Sequence, residues 1–252
     1  MIWLAMFIAV LLWWILTGLA LMSVHQRVTI KKLVFIGISG CATGAFVSLS
    51  SNASDHTIFG VVTSFVMALI IWGWLELTYL MGYLTGPTKV PVVGKPRLVT
   101  RFRLALGTSM YHEILVLLVL LLSFHLVAGE PNPTVFYTLV ILWIMRTSTK
   151  LNLFFGVRHF NDHWLPESVQ HVKTYISTGK NSPFMSFSTL LAATITSFLF
   201  FSGQTASSQP EELSMYLLAW LAALAVLEHC FLMYPMGESA LWRWAGAAID
   251  SE

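Results

Sequence analysis

Several ionisable or metal-binding side chains of this 252-residue chain lie inside otherwise apolar runs: Glu76, the pair His112-Glu113, His125, Arg146 and Lys150 with Asn152 just beyond, and the pair Glu228-His229. An ionised group at mid-bilayer is costly, so such residues face a bundle interior and mark functional sites. The set allows three kinds of chemistry. In the first, Glu76, Glu113 and Glu228 are neutralised by Arg146, Lys150 and the imidazoles, and the buried pairs specify which helices meet. In the second, His112 or His229 is the axial ligand of a tetrapyrrole metal, with the adjacent carboxylates orienting the other ring nitrogen. In the third, Glu76, His112, Glu113, Glu228 and His229 supply ligands to a catalytic metal, as in di-iron carboxylate bundles. That pattern wants two Glu-x-x-His repeats. Here the His-Glu and Glu-His pairs are adjacent, about 100° apart on a helix, so both members of a pair cannot point one way. His125 stands alone near the far end of its run and reads as a packed or interfacial histidine.

The elements that must position these groups follow from hydropathy. Hydrophobic residues make up 56% of the chain and charged residues 10%, against roughly a quarter charged in a soluble domain. A soluble protein of this size cannot hide so much apolar surface. The mean hydropathy of +0.73 fits a chain that lies mostly in lipid. A soluble globular protein, a disordered chain and a nucleic-acid binder are excluded. A spanning helix needs about 20 apolar residues. Seven stretches qualify: Ile2–Met22, Leu33–Ser50, Thr57–Leu80, Leu104–Ala128, Thr134–Leu153, Phe184–Ser202 and Leu213–Tyr234. The expectation is an all-α polytopic membrane protein of about seven transmembrane helices, forming a single domain over residues 1–252. The first run lacks a basic flank and a small-x-small site, so it reads as a span rather than a cleaved signal.

Charge sets the orientation. All 14 Lys and Arg residues fall in or beside alternate connections, while 51–56, 129–133 and 203–212 carry Asp55, Glu130, Glu211 and Glu212. By the positive-inside rule the N-terminus is outside and the C-terminus cytoplasmic. The long connections, 81–103 and 154–183, then face the cytoplasm. At 1.5 Å per residue, Glu76 lies about 9 Å from the inner end of its span, His112-Glu113 about 12 Å and Glu228-His229 about 10 Å. Arg146 and Lys150 reach the same layer. The prediction is one buried polar cluster open to the cytoplasm, made of Glu76, His112, Glu113, Arg146, Lys150, Asn152, Glu228 and His229.

Smaller signals complete the reading. Gly86-Pro87 should stop the third span, with Pro91 and Pro96 keeping the next stretch extended. Arg101 and Arg103 suit lipid headgroups or an acidic partner. Pro166 and Glu167 should open a short helix on the membrane surface, with Val169, Val172 and Ile176 at helical spacing. His159 and His163 are four apart beside Asp162, a weak metal spacing within turn chemistry. Gly40 and Gly44 form a GxxxG pair, expected in close helix contact inside the monomer or, failing that, on a protein–protein face. Trp72, Trp74, Trp164, Trp242 and Trp244 suit the interface. Cys41 and Cys230 read as buried thiols. No internal repeat is visible, which disfavours an inverted-repeat transporter, and no phosphate-binding glycine motif occurs.

Four segments resemble the PuhE family of photosynthetic complex assembly proteins (photosynthetic complex assembly protein 2) of purple phototrophic bacteria. They are Trp72-Gly-Trp-Leu-Glu-Leu77 with Met81-Gly82 and Thr85-Gly-Pro87; Tyr111-His-Glu113; Lys150-Leu-Asn-Leu-Phe-Phe-Gly-Val157; and Leu227-Glu-His229 running to Ala240-Leu-Trp-Arg-Trp244. The likeness implies a multi-pass protein of the bacterial inner (intracytoplasmic) membrane, encoded among photosynthesis genes. It implies a role in assembling reaction-centre and light-harvesting complexes and in modulating bacteriochlorophyll supply. Partners would be the subunits of those complexes, other assembly factors and membrane lipid. A bound cofactor would be bacteriochlorophyll or a precursor, with a metal ion as the alternative. Leu75 stands where that family leads one to expect a histidine, and Cys230 where it leads one to expect an aromatic. The alternative function is an intramembrane metal-dependent enzyme acting on a lipid-soluble substrate or a tetrapyrrole intermediate.

Overall fold

The computed structural model describes residues 1–94, 96–161, 165–235 and 238–245. Among them the chain is helical with no strand, apart from one parallel bridge between Val157 and Thr178. The helices are α1 (Ile2–Val24), α2 (Val28–Ala53), α3 (Ile58–Leu80), α4 (Leu98–Gly107), α5 (Met110–Val127), α6 (Thr134–Phe155), α7 (Pro183–Gln204) and α8 (Gln209–Met233). Short 3-10 segments follow α6 (Glu167–Tyr175) and α8 (Glu238–Ala245). Among the described residues six helices are long and apolar enough to cross a membrane: α1, α2, α3, α5, α7 and α8. The chain is thus a multi-pass, membrane-type helical protein. α6, at 22 residues, has the length but not the apolarity, because Arg146 and Lys150 interrupt it.

α3 and α8 form the centre. They are 44% and 56% buried over their most apolar windows, against 17% for α1, α2 and α7, which are therefore peripheral. One core cluster joins α1, α3, α6 and α8 through Ala5, Ala9, Phe65, Leu142, Leu217 and Leu221. A second joins α2, α3, α5 and α6 through Leu49, Ile71, Leu75, Val116 and Leu139. Met1, the turn at Asp55 and Asn132 gather at one end. There Asn132 Nδ2 donates to Asp55 O and to Ser64 Oγ, both at 3.0 Å, and the Met1 ammonium lies 3.7 Å from Glu212. The long basic connections lie at the other end.

The fourth expected span, Leu104–Ala128, is corrected. It breaks at Thr108-Ser109 into α4 and α5, because the chain after α3 folds back against that point. The His112 N–H donates to Thr85 O at 3.0 Å, and the Thr88 N–H donates to Gly107 O at 3.1 Å. These bonds satisfy one carbonyl at the end of α4 and one N–H at the start of α5, groups that a helix end leaves without an intrahelical partner. A Cβ on Gly86 would collide with the backbone of Gly107 and Met110, so glycine permits the approach. His112 and Glu113 consequently stand in the first turn of α5, rather than about two turns inside a span. α3 also ends earlier than Gly86-Pro87: Gly82, at φ +78°, turns the chain after Leu80.

Other expectations are revised. Gly37, Gly40 and Gly44 are not in close contact within the monomer; a Cβ at each would meet nothing within 4 Å. Cys41 on the same face is exposed rather than buried. Arg101 does not face headgroups: its guanidinium donates to Tyr175 O at 2.6 Å and Ser177 Oγ at 2.7 Å, and stacks 4.8 Å over Phe154. With Val92 N–H donating to Thr174 Oγ1 and Tyr175 O–H to Val90 O, it locks the two long connections together. The segment after Pro166 is two 3-10 turns joined at Val169, which is buried, instead of an α-helix on a surface. Trp242 is buried against Trp13, at 5.1 Å between rings, and Trp244 packs on Trp14 at 5.5 Å, so these indoles are anchored to α1. The expected site at His159, Asp162 and His163 falls largely on residues outside those described, as does Trp164.

Candidate functional site: two polar stripes on α6

Four polar residues in the second half of α6 form two i,i+4 pairs. Arg146 and Lys150 share one stripe. Ser148 and Asn152 share another, about 200° round the helix from the first. The stripes face different neighbours and have different chemistry.

The charged stripe faces α3 and α5. Arg146 Nη2 lies 3.1 Å from Glu76 Oε2, and Lys150 Nζ lies 2.5 Å from Glu113 Oε1. The Lys150 ammonium also sits 5.1 Å above the Tyr79 ring. His112, buried beside Tyr79, donates from Nε2 to Leu75 O at 3.1 Å, because a carbonyl only accepts. Its Nδ1 lies 4.0 Å from Glu113 Oε1, outside hydrogen-bond range. Glu76 Oε1, Arg146 Nε and His112 Nδ1 are buried without hydrogen-bond partners. The structure therefore brings together Glu76, His112, Glu113, Arg146 and Lys150, and adds Tyr79. Two ion pairs, one from α6 to α3 and one from α6 to α5, disfavour any packing that strands one of the charges.

The neutral stripe faces α7 and α8. Asn152 donates to Ser188 Oγ at 2.8 Å, and Ser148 Oγ meets His229 Nε2 at 2.8 Å. His229 is anchored by Nδ1, 2.7 Å from Ala225 O. Glu228 points in a third direction and accepts from Trp13 Nε1 of α1 at 3.0 Å. Its carboxylate stays within electrostatic reach of Arg146. So His229 and Asn152 do not join the charged group, and Glu228 borders it from the α1 side. His125 lies on an exposed side of the last turn of α5.

Beside His229 a cavity of about 240 Å³ runs between α6, α7 and α8, walled by Trp143, Phe184, Phe187, Leu191, Ala192 and Ala222 among others. It is smaller than the roughly 300–1,000 Å³ of pockets for drug-sized ligands, so a tetrapyrrole macrocycle does not fit inside it. Both nitrogens of His112 are turned into protein. The residues do not make a cradle for that cofactor at either histidine. Among the described residues, no group of three or more His, Cys, Asp or Glu is arranged to hold a metal ion.

The whole chain, residues 1–252, matches the family described as "Protein of unknown function (DUF3623)". The chain belongs to the DUF3623 family. A Rhodobacter capsulatus relative, described as an uncharacterized 30.4 kDa protein in the puhA 5′ region, is 30% identical over 259 residues. That alignment covers 98% of this chain and 92% of the relative. No solved structure matches.

Sequence reasoning missed Tyr79, Ser148, Ser188 and Trp13. The 146/150 and 148/152 spacings were legible as two stripes. Tyr79, three residues after Glu76, shares its helix face.

Proposed function

We propose that this protein is an assembly factor of the bacterial inner membrane that helps build photosynthetic reaction-centre and light-harvesting complexes, and that it acts by binding partner helices. The observation that carries the reading is its full-length relationship to a protein encoded beside puhA. The structure supports binding over chemistry in two ways. The charged groups of α6 are consumed in interhelical pairs that fix the bundle. The outer face of peripheral α2 presents Gly37, Gly40 and Gly44 with nothing packed on them, and small residues let membrane helices approach closely. In this reading α6 is a seventh span, stabilised by its pairs. The basic end is cytoplasmic and the N-terminus outside.

The test is replacement of the gene in its host, followed by near-infrared absorbance of the membranes and a mild-detergent pull-down. Glu113→Leu should lower the yield of pigment–protein complexes, whereas Glu130→Leu at the opposite end should not. Gly40→Leu should reduce the subunits recovered without reducing the amount of this protein. Equal effects of Glu113→Leu and Glu130→Leu, or unchanged complexes after deletion, would overturn the reading.

A further inference from the structure

The cavity between α6, α7 and α8 lies on the stripe of α6 opposite its charges, and the assembly reading makes no use of it. Its walls are aliphatic and aromatic, apart from Thr147, Ser148, Ser188 and His229. The polar pair with chemical content is His229 Nε2 and Ser148 Oγ. Because Nδ1 faces the Ala225 carbonyl, Nδ1 carries the proton and Nε2 presents a lone pair. Ser148 must then be the donor across the 2.8 Å bond.

That bond is replaceable. A helical serine in an apolar setting commonly donates to the carbonyl four residues back. In this chain Ser23, Ser39, Ser197 and Ser202 do so. Ser148 reaches across to α8 instead, and Ile144 O is the alternative acceptor on its own helix. A ligand can therefore take either end of the bridge without stranding the serine.

The geometry also selects among ligands. An inserted hydroxyl satisfies both partners: Ser148 donates to its oxygen, and it donates to His229 Nε2. A carbonyl oxygen accepts from Ser148 but leaves the imidazole lone pair unpaired and buried. An ionised headgroup finds no counter-ion, since Arg146 and Lys150 are engaged on the far side of α6. The volume admits one ring, and Trp143, Phe184 and Phe187 offer flat apolar walls. Phe187 and Leu191 are exposed on the outer side of α7, where a tail can pass into lipid. We propose that this cavity binds the ring of a membrane-dissolved hydroxyaromatic lipid, a quinol or long-chain phenol, with its O–H bridging Ser148 and His229.

The test is calorimetric titration of the purified full-length protein in detergent, with a benzoquinol bearing a decyl tail and with the matching quinone. Ala192→Phe, which fills the cavity from α7, supplies the baseline for partition into micelles. Expected is saturable one-site binding, with the quinol about tenfold or more tighter than the quinone because only the quinol pairs the imidazole. His229→Leu should weaken quinol binding by about tenfold or more and abolish the preference. Ser148→Ala should keep quinol affinity within about threefold, since His229 still accepts. Absence of saturable quinol binding, equal affinity for the two forms, or undiminished binding to folded Ala192→Phe would each overturn the proposal. The last two arms hold even if His229→Leu fails to fold.

Discussion

Lys150→Met is the most direct probe of how the bundle is held. Lys150 Nζ is 2.5 Å from Glu113 Oε1, and the two side chains are 27% and 23% exposed. Removing one partner from a fully buried pair costs about 3–5 kcal/mol, and from an exposed pair about 0–1 kcal/mol. Three-quarters burial places the single substitution at roughly 2–3 kcal/mol between these limits. About 0.5–1 kcal/mol of that is the lost contact with Tyr79. The double variant Lys150→Met/Glu113→Leu strands no charge. It should cost only about 1–2 kcal/mol, namely the Tyr79 contact and the favourable placement of Glu113 in the first turn of α5. Glu113→Leu alone strands the Lys150 ammonium and should cost a similar roughly 2–3 kcal/mol, so the two substitutions should couple by about 2–5 kcal/mol. Reversible unfolding in mixed micelles of increasing dodecyl sulfate content, run on the wild type, both singles and the double, measures the coupling. Single effects that add to the double within about 0.5 kcal/mol would refute the claim that the pair specifies how α5 meets α6.

Three further outcomes follow from the packing. Gly86→Ala should sharply reduce folded yield, because its methyl group meets the backbone of Gly107 and Met110, whereas Gly40→Ala should leave monomer stability unchanged; size-exclusion profiles in detergent compare them. Arg101→Met should cost about 1–3 kcal/mol locally by removing two charge-assisted hydrogen bonds and the stack on Phe154. It should speed proteolysis within 165–182 while the helical signal in circular dichroism persists. Burial, with Lys89 nearby, holds the His171 imidazole below its ordinary range. The folded connection thus binds fewer protons than the unfolded one, and its packing weakens as pH falls below about 6.5. Hydrogen exchange of 167–175 should quicken there, corrected for intrinsic rates, and His171→Gln should flatten the trend.

The apolar runs and the alternation of basic and acidic connections were visible in the sequence, because lipid demands long apolar helices and charge follows the membrane sides. Those constraints act residue by residue, so they need no knowledge of neighbours. The presence of Glu76, Glu113, Arg146 and Lys150 inside such runs also marked a polar layer directly. Which groups share that layer was a tertiary decision. Only packing shows that α6 carries its charges toward α3 and α5 and its serine and asparagine toward α7 and α8, since the rotation of a helix about its axis depends on what surrounds it. The break at Thr108-Ser109 was hidden for the same reason. Leu104–Ala128 is apolar enough to continue as one helix, and it stops because a loop 20 residues away in sequence supplies the hydrogen bonds that its ends would lose. The outward glycines of α2 show the complement: a small-residue motif records that close approach is permitted, and the fold alone determines whether the neighbour lies within the chain or outside it.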